Sequence, residues 1–336
     1  MSYQRPRYTP EQLHQVYNRI RLPSRYRYEP GEFSTEVIRH RDGHQFLAAL
    51  VRCTLAHVPF ENLALHYSPH HQISIHPSEL FQKIVAQGRG RGGYCIENNV
   101  FLGTVLRSLG FQVMTVGARL NSQNDDTEAE SGRGTFGGWS HIVNLVAIRG
   151  EVFVADVGFG SGGPTRPVAL KDGATEMAIP PTQHVRLRRD AIPENEYSNN
   201  KLWVMDRRDH DDQPWTPIYA FEDDVCFLPQ DFEVMNFFTS THRTSLYTYR
   251  IICSRYILDE HDDVTIIGEI VLFENRVTRR LRGKKEVLAT FSTESGRLEA
   301  LEKFMGITLD HAQRAGIIGM VTELGAPDQE AASGYE

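Results

Sequence analysis

The run Arg91-Gly92-Gly93-Tyr94-Cys95-Ile96-Glu97-Asn98-Asn99 constrains this chain more than any other stretch. It sets a cysteine directly after a glycine pair, at the point where an apolar helix begins. Leu102, Val105, Leu106 and Leu109 follow at helical spacing, and Gly110 supplies a C-terminal stop. Cys95 then falls in the first helical turn. Unpaired N–H groups and the positive end of the helix dipole favour thiolate over thiol there, and the two glycines let backbone approach a ligand closely. A lone cysteine is more commonly a small buried hydrophobe, so its partners decide whether this one is a nucleophile.

Candidate partners come from Trp139-Ser140-His141-Ile142-Val143-Asn144-Leu145-Val146-Ala147-Ile148 and from Glu151-Val152-Phe153-Val154-Ala155-Asp156. Arg149-Gly150 between them is a two-residue hairpin turn. Pairing outward from that turn puts Ile148 opposite Glu151, Val143 opposite Asp156 and His141 opposite Gly158. Asp156 therefore shares a face with His141 as its diagonal neighbour, roughly 7–8 Å away between backbones, a span the two side chains can close. A carboxylate on imidazole fixes its tautomer and leaves the other nitrogen for a nucleophile. A one-residue slip would put the pair on opposite faces. With Cys95 available, the three residues read as a Cys-His-Asp triad.

RGGYCIENN, the upstream Pro59-Phe60-Glu61-Asn62-Leu63, the Ser140-His141 pair and the DVGFG of Asp156 to Gly160 together resemble the arylamine N-acetyltransferases. The motifs stand in that family's order, and the likeness runs from the N-terminal helices to about Leu309. It implies an α+β fold on a cysteine-protease-like triad scaffold, with an N-terminal helical bundle, a central β-barrel-like domain and a C-terminal α/β lid. It also implies ping-pong transfer of an acetyl group from acetyl-CoA, through an acyl-Cys95, to an arylamine, arylhydrazine or arylhydroxylamine. Some members of the family prefer malonyl-CoA, and no residue here reveals the donor. By the same resemblance Cys95, His141 and Asp156 are catalytic, and Gly137, Gly138, Phe159 and Gly160 approach coenzyme A. Phe60 and Phe159 line the acceptor pocket. Coenzyme A acts as a co-substrate, and no permanently bound cofactor, metal or protein partner is implied. The triad itself equally suits a cysteine hydrolase or a transglutaminase-like enzyme, and the scaffold also suits a catalytically silent binding protein.

Composition restricts the remaining classes. With 36 Lys and Arg against 43 Asp and Glu, the net charge of −7 gives no footing for nucleic-acid binding. Arg279, Arg280, Arg282, Lys284 and Lys285 form a local basic group that reads as a solvated strand edge. The N-terminus lacks an apolar signal core and no run is long enough to span a bilayer, so the expectation is a cytoplasmic protein without membrane contact. Cys53, Cys95, Cys226 and Cys253 are scattered without a CxxC pair, which points to reduced thiols. His66, His70, His71 and His76 have irregular spacing interrupted by Pro, and read as an exposed loop.

The period of the apolar residues changes along the chain. Residues 1–110 read as a helical domain carrying the nucleophile. Thr9-Pro10-Glu11-Gln12 is a capped helix start, and further helices are marked by Phe46, Leu50 and Cys53 and by Leu80, Phe81, Ile84 and Val85. Residues 111–225 switch towards a period of two and read as the barrel-like domain, with the polar loop Asn121 to Gly134 inside it. Residues 226–310 mix strands, including Ser245 to Cys253 and Val264 to Phe273, with a helix bearing Leu298, Leu301, Phe304 and Met305. Residues 311–336 read as an extension whose last dozen residues are mobile. Arg243 stands where the resembled family commonly has Pro, which bears on lid geometry and ligand selection.

Overall fold

Thr9 begins the first helix, α1 (Pro10–Arg19), by accepting from the Gln12 N–H while the Gln12 side chain reaches back to the Thr9 N–H. This computed structural model describes residues 5–28, 42–122, 134–197, 199–262 and 264–325. The other helices are α2 (Asp42–His57), α3 (Pro77–Phe81, running on into a wide turn at Gln82–Ala86), α4 (Cys95–Ser108), α5 (Pro229–Thr241), α6 (Glu294–Ala300) and α7 (His311–Ala315). No helix among the described residues is long and apolar enough to cross a membrane. Leu13, Val16 and Tyr17 of α1, Phe46, Leu50 and Cys53 of α2, and Leu80 and Phe81 of α3 bury their apolar stripes together with Leu102, Val105 and Leu106 of α4.

Thirteen strands are described: β1 (Phe60–Glu61), β2 (Gln112–Asn121), β3 (Phe136–Ile148), β4 (Glu151–Ala155), β5 (Val168–Ala169), β6 (Thr175–Ile179), β7 (Gln183–Ala191), β8 (Lys201–Arg208), β9 (Thr216–Phe221), β10 (Ile252–Leu258), β11 (Ile266–Phe273), β12 (Arg276–Leu281) and β13 (Lys284–Thr290). Eight form an antiparallel sheet of order β5-β4-β3-β2-β9-β8-β7-β6, in which β5 comes back towards β7 to give a nearly closed barrel. The other five form the sheet β1-β10-β11-β12-β13, against which α6 and the turn after it pack. The fold is α+β, with helices first, a barrel-like sheet in the middle and a mixed C-terminal part.

Some segments depart from the sequence reading. Ser245 to Cys253 is not one strand: Leu246–Thr248 forms a short 3₁₀ turn and β10 begins only at Ile252. The hydroxyls of Ser245 and Thr248 donate to Thr239 O and Ser245 O, local bonds that compete with a sheet ladder. His66 is buried rather than part of an exposed loop. Its Nδ1 meets Thr322 Oγ1 at 3.0 Å and its Nε2 meets Tyr247 O at 3.0 Å. Beyond Leu309 the chain continues through α7, buries Ile317, and gives its Thr322 carbonyl to Arg297. The greater part of the polar loop (123–133) and the residues from 326 onward lie outside the described residues.

Candidate active site

The nucleophile loop is held from behind. Phe60 bridges to Gly93, the Glu61 N–H donates to Gly93 O, and the Gly93 N–H donates to Pro59 O. A Cβ at Gly92 would stand 1.9 Å from Pro59 O, so the loop lies too close to its neighbour for any side chain there. The Arg91 guanidinium donates to Glu61 Oε1 at 2.9 Å, and Lys83 donates to Glu97 Oε1 at 2.7 Å. Arg91 and Glu97, neighbours in sequence, thus take different ion-pair partners, both from segments upstream. Burial acts to raise both carboxyls. For Glu61 the attraction of Arg91 and Lys83 outweighs it and holds the group low, whereas for Glu97 burial prevails and pushes it up.

Cys95 opens α4, 1 % exposed, and its Sγ lies 3.5 Å from Ser140 O. Burial pushes the thiol up to about 12, against the smaller opposing pull of the Ile96 N–H. The helix terminus alone therefore does not leave a resting thiolate, contrary to what its position in the first turn suggests. In a dry site the proton leaves sulfur only towards an adjacent acceptor.

Next to Ser140 in the chain stands the imidazole of His141. The hairpin has the register read from its turn, with Ile148 opposite Glu151 and Asn144 opposite Ala155, and both Arg149 and Gly150 have positive φ. Asp156 follows directly, and its Oδ2 lies 2.9 Å from His141 Nε2. Its Oδ1 accepts from Asn99 Nδ2 and from the Gly158 N–H, each at 2.8 Å. Burial acts to raise the Asp156 carboxyl, but His141, Asn99 and Gly158 together hold it below the usual carboxylate range. His141 Nδ1 is buried and has no hydrogen-bond partner among the described residues.

Phe159 and Phe60 close in around these groups. The Phe159 ring stands edge-on to His141 with centroids 6.0 Å apart, and a Cβ at Gly160 would be 3.4 Å from Phe60. Gly137 and Gly138 lie at the start of β3, where a Cβ would find open space or only Leu120 O at 3.9 Å. Sequence reasoning gave no role to Asn99 and Tyr219. Asn99 is four residues after Cys95 on the same helix, a spacing that puts it on the nucleophile's face. Besides Asp156 it binds Ile142 O and receives the Val157 N–H. Tyr219 on β9 has its ring 5.2 Å from that of His141, and nothing local in the sequence marks it.

This is the geometry of a nucleophile beside an oriented base, and comparison with known proteins agrees. The N-acetyltransferase family model matches residues 45–314. The N-malonyltransferase FDB2 of Fusarium pseudograminearum (strain CS3096) is 38 % identical over 325 residues, 93 % of each chain. The arylamine N-acetyltransferase pineal gland isozyme NAT-10 of Gallus gallus is 27 % identical over 215 residues, 60 % of this chain and 67 % of that one. The solved arylamine N-acetyltransferase of Salmonella typhimurium superposes with a TM-score of 0.70 at 21 % identity, covering 92 % of this chain and 98 % of its own. A nucleophile loop, base and barrel in this order, matched along most of the chain, make the protein an acyltransferase of the arylamine N-acetyltransferase family.

Proposed function

We propose that the chain transfers the malonyl group of malonyl-CoA to the nitrogen of an arylamine, through a malonyl-Cys95 intermediate. The observation that supports the mechanism is the unclaimed, buried Nδ1 of His141, the residue next to Ser140 whose carbonyl meets Cys95 Sγ, while Asp156 holds Nε2. A neutral imidazole so held keeps its proton on Nε2 and presents a lone pair at Nδ1. As the donor thioester reaches Sγ, the thiol proton passes to Nδ1 and sulfur bonds to the carbonyl carbon. Asp156 stabilises the imidazolium. The N–H groups of the first turn of α4 face the developing oxyanion. The tetrahedral species collapses, its bond to the coenzyme A sulfur breaks, and the leaving thiolate takes the proton from His141. The amine then attacks the acyl-Cys95 carbonyl and gives a proton to His141. Cys95 leaves as the thiol, completing the second half of the reaction.

The choice of donor rests on likeness. The relative named as an N-malonyltransferase matches nearly the whole chain at 38 % identity, whereas the Gallus gallus arylamine N-acetyltransferase matches 60 % of it at 27 %. Acetyl-CoA, first in order from the sequence, becomes the second reading. Steady-state rates with malonyl-CoA, acetyl-CoA and propionyl-CoA against one arylamine test it: the highest kcat/KM is expected for malonyl-CoA, and a higher value for acetyl-CoA overturns the assignment. Replacing Cys95 by Ala is expected to abolish turnover with every donor.

A further inference from the structure

Where α4 packs on β3, the chain breaks two local rules at one place. The core they share is apolar, with Phe101, Leu102 and Val105 on the helix and Val146 and Ile148 on the strand. Yet Asn144, three residues after His141, is fully buried there. Against it the middle of the helix carries Gly103, at which a Cβ would stand 2.6 Å from Asn144 Oδ1. Burying an amide costs desolvation, and a mid-helix glycine costs helix stability. Two such departures in contact with each other are expected where a protein gives up stability for the geometry of a site.

Both polar ends of the Asn144 amide are used. Its Oδ1 accepts from Thr115 Oγ1 on β2 at 2.8 Å, and its Nδ2 donates to Asn99 O at 2.9 Å. Thr115 Oγ1 accepts in turn from Arg107, in the last turn of α4. Asn99 O lies inside the helix and takes the Gly103 N–H by the regular pattern, so it does not need a second donor. What the second bond adds is a clasp. The Asn99 side chain donates to Ile142 O at 2.7 Å while the Asn99 carbonyl receives Asn144, so one residue of α4 is held by two of β3, one and three places after His141. Cys95 lies one turn before Asn99, about 6 Å along the helix axis. A slide of α4 along β3, which would move Cys95 relative to His141, must break both bonds.

We infer that Asn144 is a positioning residue for acylation, acting through Asn99 to hold α4 at the height on β3 from which Cys95 passes its proton to His141. This rests on the mechanism proposed above, and not on the identity of the donor. The test mixes the full-length enzyme with malonyl-CoA or acetyl-CoA and no amine, and follows free coenzyme A through the first turnover. Scaling the rate to the burst amplitude removes any unfolded chains from the comparison. Asn144→Leu, close in volume and apolar, removes both amide bonds, and adding Thr115→Val removes the hydroxyl that would be left without its acceptor. The double variant is expected to melt within a few degrees of wild type, because both partners of a bond are replaced by apolar groups of similar shape. Its scaled acylation rate at saturating donor is expected to fall about 10- to 100-fold, with half-saturation unchanged within about threefold. Gly103→Ala keeps every hydrogen-bonding group but displaces the amide, and is expected to slow acylation by about tenfold or more although alanine is the better helix former. An amide that only stabilises the fold would move the melting curve and the burst amplitude and leave the scaled rate alone. A scaled rate within about threefold of wild type in the folded double variant overturns the inference, as does a fall carried by half-saturation alone. If that variant does not fold, Gly103→Ala decides by the same criterion. A wild-type enzyme that forms no acyl-Cys95 shows instead that the mechanism is wrong, and the inference falls with it.

Discussion

Replacing Asp156 by Asn changes one atom and is expected to stop the chemistry, for a reason visible in its hydrogen bonds. Oδ1 accepts from two donors, Asn99 Nδ2 and the Gly158 N–H, so in the Asp156→Asn variant the amide carbonyl oxygen must keep that place. The amide nitrogen is then forced towards His141 Nε2, where Oδ2 stood 2.9 Å away. The direction of that bond reverses: Nε2 becomes an acceptor, the ring proton moves to Nδ1, and Nδ1 can no longer take the proton of Cys95. The imidazolium also loses its counter-charge. In a site where burial, with the nearby carboxylates of Asp156 and Glu97, pushes the thiol up to about 12, loss of the base leaves almost no nucleophile at neutral pH. A wrong tautomer at a comparable Asp-His pair costs about 10⁴-fold in kcat, and a similar fall is expected here in the rate of acylation. Rapid mixing with excess acyl-CoA and no amine, quenched and read by intact mass, measures that rate directly. An Asn variant that acylates within about tenfold of wild type, with Cys95 still the labelled residue, refutes the proposed roles of His141 and Asp156.

Other perturbations read the scaffold. Glu61→Gln leaves Arg91 buried opposite a neutral group, and a loss of about 3–5 kcal/mol is expected in the free energy of unfolding measured with urea. Gly158→Ala would place a Cβ 2.5 Å from Cys95 O and 2.6 Å from Asn99 Nδ2, moving the nucleophile against its base; a fall of about 100-fold in kcat/KM is expected while the far-UV spectrum is retained. Burial lowers the folded-state pKa of His66 to about 4, so between about 6.5 and 4 the unfolded chain binds more protons than the folded one. Its contribution is intact above pH 6.5 and is lost as pH falls towards 4, to a total on the order of 3 kcal/mol. His66→Gln is expected to flatten that acid limb in unfolding curves taken between pH 4 and 7, and an unchanged slope would assign the limb to other groups.

The parts of the fold that sequence conveyed are those in which local chemistry and tertiary structure agree. Thr9 and Gln12 cap α1 as their spacing predicts, and Arg149-Gly150 fixes the hairpin register that sets Asn144 opposite Ala155, one step before Asp156. Two-residue turns leave the ladder little freedom, so the counting survives over several residues. The bulge at Ser140 was not readable, because it depends on β2 across the sheet rather than on β3. Nor were the buried pair of Arg91 with Glu61 and the partly buried pair of Lys83 with Glu97, whose members are 30 and 14 residues apart. His66 illustrates the same limit. Its neighbours in sequence are polar and turn-rich, yet Thr322 comes from 256 residues away to meet it.

The state of the thiol shows where a local rule yields to packing. A helix N-terminus lowers the pKa of a cysteine that still meets water, and Cys95 does not. In the proposed mechanism its nucleophilicity comes from transfer of the proton to His141 within the closed site. Burial, which no short motif reports, determines which of the two effects is larger.

The central claim is that a single sulfur carries the acyl group between two half-reactions. The most direct measurement mixes the enzyme with acyl-CoA in the absence of any amine, then follows free coenzyme A and the mass of the Cys95 peptide together. A burst of about one coenzyme A per chain, a matching acyl adduct on Cys95, and loss of that adduct when an arylamine is added are the expected results. Coenzyme A release that waits for the amine, with no adduct on Cys95 and intersecting initial-rate lines, would contradict the account and place both substrates on the enzyme at once.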